Sequence, residues 1–385
     1  MPEQSNSEIK AFILFKDNGL SMPAGSVSIQ QHGGVADIIR TSEAWKVART
    51  FGSESCCAEK FAGPQYYDFG GGTRRLTDPR YANYRECPSH RFCATREISI
   101  PQGLIDGLFN PPHAPTFALP RFIPLVNPLD SRTYAHKLLE GRFPVVLVQS
   151  WSLFRNSAKL QQAKSKGLND ILGFDGKVIL SSVIPDKYIV ERGLDWFVRI
   201  VEALNPAAVT TWDVPTYSNH PRMSSLNWLM KGLDAARLMS SKLDIPLIGL
   251  VAGADLPQVR LSSACLLAMG FNHQALACEQ LLRDRQLRFL EASVATVKES
   301  CPSLTLLSCS HPRLFSRMSL ADHFTGMSWF SQAIRGKYLL ETRREIKGEK
   351  SEPNHTSLFI ENLLATIDAL SDPQSSSQSK LGEVL

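Results

Sequence analysis

Residues 119–126, Leu-Pro-Arg-Phe-Ile-Pro-Leu-Val, mark a change of texture in the chain. After them, short apolar runs alternate with amphipathic stretches. The runs Arg121–Val126, Pro144–Gln149, Val178–Ser181, Ala208–Trp212, Pro246–Val251, Gln274–Ala277, Leu304–Ser308 and Ser328–Gln332 have strand length and composition. Helical patterns lie between most of them. Leu194, Phe197, Val198, Val201 and Leu204 share one face of a helix. Leu226–Leu238 and Leu261–Met269 behave alike, and Ala275–Leu290 begins as strand and continues as helix. Strands alternating with helices imply parallel pairing through βαβ crossovers. Eight of them predict a closed (β/α)8 TIM-type barrel, with an open doubly wound sheet as the alternative. No glycine-rich phosphate loop follows the first strand, which weakens a dinucleotide-binding version.

Outward from this core, residues 1–115 form an irregular N-terminal extension. It is rich in Gly, Arg, Tyr and Pro and closes on the turn Asn110-Pro111-Pro112-His113-Ala114-Pro115. The barrel is expected over 116–350, a last amphipathic helix over 351–371, and a Ser/Gln-rich disordered tail over 372–385. The 385 residues, 43% hydrophobic and 21% charged, have a globular balance. The N-terminus lacks a signal pattern, and no apolar run reaches the ~18 residues of a membrane helix. The expectation is a soluble, cytoplasmic protein without a membrane partner. A net charge of +5 permits a polyanionic partner without requiring one.

The eight cysteines show no disulfide framework. Cys56, Cys87, His90 and Cys93 form the one cluster with soft and imidazole ligands, and zinc is the metal such a set would take. Its spacing is wider than a CxxC knuckle, so a metal-free extension is the competing reading. Arg74 and Arg75 lie among tyrosines, where cationic and stacking groups together suit nucleic acid. Arg335 and Lys337 follow the last strand and are further phosphate-contact candidates, diluted by nearby glutamates.

Several motifs in order resemble the tRNA-guanine transglycosylase superfamily over about residues 119–332. The opening Pro120-Arg121-Phe122-Ile123-Pro124-Leu125-Val126 is similar to that family's first-strand run. Gly173-Phe174-Asp175-Gly176 resembles the turn before its third strand. Thr211-Trp212-Asp213-Val214-Pro215 looks like its fourth-strand end, and Gly249-Leu250-Val251-Ala252-Gly253 like its fifth strand. The resemblance implies a barrel that exchanges guanine for a 7-deazaguanine such as preQ0 in nucleic acid. Some members act on tRNA and others on DNA. DNA is slightly favoured, because the zinc motif of the tRNA enzymes is absent after residue 310.

The resemblance implies that Asp213 reads the base, with Ser182, Gly249 and Ala252 lining its slot. The chain departs from the family elsewhere. Ser181 and Ser331 align where carboxylates are expected, Ala252 replaces a glutamine, and Ala277-Cys278 replaces a glycine pair. A serine cannot serve as an anionic nucleophile without an activating base. Asp186, just past the third strand, and the pair Asp322 and His323, just before the eighth, are the candidate substitutes for acid/base work. The competing readings are a non-catalytic nucleic-acid-binding or accessory subunit, alone or in an oligomer, and an unrelated barrel hydrolase.

Overall fold

A computed structural model describes residues 34–45, 66–68, 73–75, 100–107, 109–128, 142–217, 222–283, 286–335, 339 and 355–371. Eight parallel strands close into a barrel: β1 (Phe122–Val126), β2 (Val145–Gln149), β3 (Lys177–Ser181), β4 (Ala208–Thr210), β5 (Leu247–Val251), β6 (His273–Ala277), β7 (Ser303–Leu307) and β8 (His323–Gly326). Each strand pairs with its neighbours in chain order. The ring closes where Phe324 pairs with Phe122 and Thr325 with Ile123. The expected (β/α)8 barrel is therefore the fold.

The near-continuous apolar strands follow from burial on both faces. β1 and β5 are buried at every position. One face fills the lumen, where Ile123, Leu147, Ile179, Ala208, Ile248 and Ala275 pack together. Phe117 and Leu119, just before β1, pack against that cluster at its N-terminal end. The outward face meets the helices, whose buried side chains include Phe197, Val201 and Leu204.

The helices that position the site are α1 (Ser150–Phe154), α2 (Ser157–Lys166), α3 (Leu168–Leu172) and α4 (Asp186–Leu204). Gly193 interrupts α4 with φ 72°, a conformation costly for a residue with a Cβ. Its first turns therefore turn away from the segment that packs on the barrel. Further on come α5 (Arg222–Lys242), α6 (Leu256–Ala268), α7 (Glu279–Arg283), α8 (Leu287–Lys298), α9 (Pro312–Phe315), α10 (Ser328–Ile334) and α11 (His355–Ser371).

One expectation needs correction. The run Ser328–Gln332 is not the eighth strand but lies in α10, where the Ser331 amide donates to Met327 O at 2.9 Å. The strand is His323–Gly326, five residues earlier. Described parts of the extension pack on the barrel. A helix at Val35–Thr41 buries Val35 and Ile39 against the outer core, and Leu247 N donates to His113 O at 3.0 Å. Within 66–75, Tyr66–Asp68 pairs antiparallel with Thr73–Arg75. No helix among the described residues is long and apolar enough to cross a membrane.

Candidate functional site

The C-terminal ends of β3 and β4 bring two carboxylates together. β4 leads into an extended segment carrying Asp213, whose Oδ1 accepts a hydrogen bond from the Val214 amide at 2.9 Å. The Ile184 amide, from the β3 loop, also bonds this carboxylate. Asp186 opens α4 directly after Pro185, and its Oδ1 accepts from the Tyr217 hydroxyl at 2.9 Å. The two loops are thus cross-tied: each holds the other's acid. Both aspartates are half-buried.

Their electrostatics follow from this placement. Burial pushes the Asp213 carboxyl up to about 8, and the charge on Asp186 adds to that rise. Burial likewise raises Asp186 to about 7, with the Tyr217 hydrogen bond pulling the other way. Two like charges in a poorly hydrated site cannot both ionise cheaply, so the pair retains a proton near neutrality. Such a pair offers one donor and one acceptor side by side.

Part of the mouth is apolar. Val183, Ala277 and Met327, at or just past the ends of β3, β6 and β8, are half-buried and pack on the lumen cluster. Ala252, one residue past β5, reaches the same end of the barrel, with its amide donating to Ser262 Oγ at 3.1 Å. The Gly253 amide donates to Thr216 Oγ1 at 3.0 Å, tying the β5 loop to the loop that carries Asp213.

Other expected base contacts are placed elsewhere. Ser182 is buried, and its hydroxyl bonds Thr210 Oγ1 at 2.8 Å and Thr211 O. It stitches β3 to β4 and turns no free group into the mouth. Gly249 faces outward: a Cβ there would sit 3.1 Å from Phe271 Cβ and 3.3 Å from Leu266 Cδ1. Its lack of a side chain lets α6 pack closely.

Asp322 and His323 lie at the other end of the barrel. Asp322 precedes β8, and its Oδ2 accepts from Lys298 Nζ at 2.9 Å and from the Leu304 amide at 2.7 Å. Burial opposes its ionisation, yet these donors together hold its pKa below the usual carboxylate value. His323 Nδ1 lies 2.9 Å from Pro120 O and its Nε2 3.3 Å from Ser303 Oγ. It stacks on His273 with ring centroids 5.4 Å apart. The length of β8, at about 3.3 Å per residue, separates this group from the mouth. Asp322 and His323 therefore do not join Asp213, which corrects their assignment as its acid/base partners.

At the mouth end of β8 stand Thr325, Gly326 and Met327, none of them ionisable. A Cβ on Gly326 would collide with the Ser310 side chain, whose Oγ bonds both the amide and the hydroxyl of Ser328. No carboxylate fits at that position.

Arg335 is exposed just after α10. Arg74 and Arg75 lie in the short antiparallel pair, and Lys337 lies outside the described residues. Cys56, Cys87, His90 and Cys93 lie outside them too. Among the described residues, no group of three or more His, Cys, Asp or Glu side chains could hold a metal ion. Cys265, Cys278, Cys301 and Cys309 are free and buried.

Sequence reasoning missed Tyr217. It stands four residues beyond Asp213, and only the folded loop carries its hydroxyl to Asp186. No family model matches the chain, and no curated protein matches it.

Proposed function

We propose that the protein is a base-exchange transglycosylase that replaces guanine by a 7-deazaguanine in nucleic acid, with DNA favoured over tRNA. The observation that carries this reading is the convergence of Asp186 and Asp213 at the C-terminal mouth of a closed parallel barrel, the end where such barrels hold their active sites. The motif order described above supplies the substrate class.

In this reading Asp213, fixed by two backbone amides, faces the polar edge of the base. Protonated, it donates; ionised, it accepts from the N–H groups of a guanine-like ring. Val183, Ala277 and Met327 offer the flat apolar wall that a purine-sized ring needs. Asp186 is the group left to trap the sugar. Its carboxylate oxygen bonds to C1′ as the glycosidic bond breaks, and the departing base takes a proton from the protonated partner. The incoming base gives up a proton and displaces the glycosyl ester. The raised pKa serves Asp213, which must hold and release a proton near pH 7, while Asp186, the lower of the two, acts as the ionised member of the pair.

One observation favours a second reading. The β8 end carries no ionisable group, so the barrel also suits a binding subunit that recognises a base without exchanging it.

Radiolabelled guanine and preQ0, offered with DNA and with tRNA, separate the two. Exchange that takes up label, and is lost in Asp213→Ala and Asp186→Ala, is the expected result. No label in either nucleic acid, with guanine affinity unchanged in Asp213→Ala, overturns the base-exchange reading.

A further inference from the structure

The rim beside Asp186 carries aromatic rings capped by arginines. Trp151 follows β2 directly, and its Nε1 donates to Gln149 Oε1 at 3.0 Å, which fixes the indole. The Arg155 guanidinium lies over that ring, 4.6 Å from the centroid. Across from α1, the kinked α4 presents Tyr188, Arg192 and Trp196. Tyr188 and Trp196 are parallel within 4°, with centroids 6.4 Å apart. Phe154 meets Trp196 edge-on at 4.6 Å, joining α1 to α4. Arg192 stands 5.9 Å from the Trp196 centroid. Trp151, Phe154, Tyr188 and Trp196 are half-buried, whereas Arg155 and Arg192 are exposed.

Charge on the neighbouring helix points the same way. α2 packs against α4 and carries Lys159, Lys164 and Lys166 with no acidic residue. On α4, Glu191 and Asp195 are exposed acids, of which Asp195 is engaged by Lys242 Nζ at 2.7 Å. Half-buried rings edged by exposed guanidinium groups, beside a helix that carries lysines and no acid, combine the two elements that hold an unpaired polynucleotide: stacking for bases and cations for phosphates. A duplex hides its base faces and gains nothing from the rings. The surface offers ring faces and cations, which give no premium to a ribose 2′-hydroxyl.

We propose that this surface, between the C-terminal ends of β2 and β3, docks an unpaired DNA strand, with bases stacked on Trp151 and Trp196 and phosphates held by Arg155, Arg192 and Lys159, which stands in the first turn of α2. The strand would run past Tyr188 to Asp186, two residues away in α4. This rests on the base-exchange reading only for why a strand is brought to the mouth; the surface itself is independent of the acids.

The test uses the full chain and a fluorescein-labelled oligo-dT of about 16 nucleotides, read by anisotropy, with free-guanine binding measured separately by calorimetry. Trp151→Ala with Trp196→Ala should weaken oligo-dT binding by roughly 5- to 100-fold. Arg155→Glu with Arg192→Glu, at exposed positions that leave the packing intact, should weaken it as well and flatten its salt dependence. Both variants should bind guanine as the unaltered protein does. If the arginine variant and the tryptophan variant hold oligo-dT unchanged, or if duplex DNA or the matching RNA binds tenfold more tightly than the single DNA strand, the docking surface is refuted. Loss of oligo-dT binding in these variants, with no guanine binding by the unaltered protein, keeps the surface and removes the base-exchange reading instead.

Discussion

The two ends of the barrel use the same residue types for opposite purposes. At the N-terminal end Asp322 meets an ammonium and an amide, and its pKa falls. There His323 and His273 stack with their hydrogen-bonding partners in place. At the C-terminal mouth burial raises both Asp186 and Asp213, and the charge on Asp186 adds to the rise of Asp213. One end pairs its carboxylate with a cation; the other buries two carboxyls without one. An aspartate beside a histidine in sequence is thus no guide to chemistry until the strand end that it occupies is known.

The contrast breaks first under substitution at the mouth. Asp213→Asn keeps the shape but removes the proton exchange, and base exchange should fall by about 10²–10⁴-fold. Exchange at the unaltered rate would remove the acid pair from the chemistry.

Acid titration of the N-terminal end comes next. Burial depresses His273 to about 4 against an ordinary 6.5, with His323 adding to the effect. Its folded-state pKa is lowered, so the folded form binds fewer protons than the unfolded chain between those values. Stability should be fully present above about pH 6.5 and lost as pH falls toward 4, by at most about 3 kcal/mol. His273→Gln, which can still reach Thr305, should flatten that slope in urea titrations. A slope unchanged by the substitution would place the acid sensitivity elsewhere.

The mouth should show the opposite sign. The carboxyls of Asp186 and Asp213 have folded pKa values above their unfolded ones. The folded state therefore holds extra protons, and stability falls as pH rises from about 4 toward 8. Asp213→Asn should gain on the order of 2 kcal/mol at pH 8, less than the full worth of the rise from 3.8 to about 8 because the side chain is only half-buried and solvent screens it, and nothing at pH 4. A gain equal at both pH values would mean that packing, not ionisation, is responsible.

These contrasts also explain what was legible beforehand. Runs such as Val145–Val148 and Leu247–Val251 are apolar at every position, because a parallel strand is covered on both faces, and that pattern survives in the sequence. β8 was misplaced because its inward positions are His323 and Thr325, which break the apolar run. The aromatic stretch after it, Ser328–Gln332, mimics a strand while forming a helix. Asp213 was legible from its place after a strand. Its partnership with Asp186 was not, since 27 residues separate them and only the closure of β3 on β4 brings them together. The Tyr217 hydrogen bond spans 31 positions and leaves no local trace.

The smallest effect expected is the most telling about Asp322. Asp322→Asn keeps a carbonyl oxygen for the Leu304 amide but leaves Lys298 without its counter-charge. The carboxylate side chain is 38% exposed, so solvent screens much of that loss. A cost of about 1 kcal/mol is expected, less at high salt. Its folded pKa is lowered, so this contribution should be present above about pH 4 and disappear below it. Exchange per folded molecule should not change, because the residue faces away from the mouth across the length of β8. A fall in rate as steep as that of Asp213→Asn would return Asp322 to the chemistry and erase the distinction between the two ends.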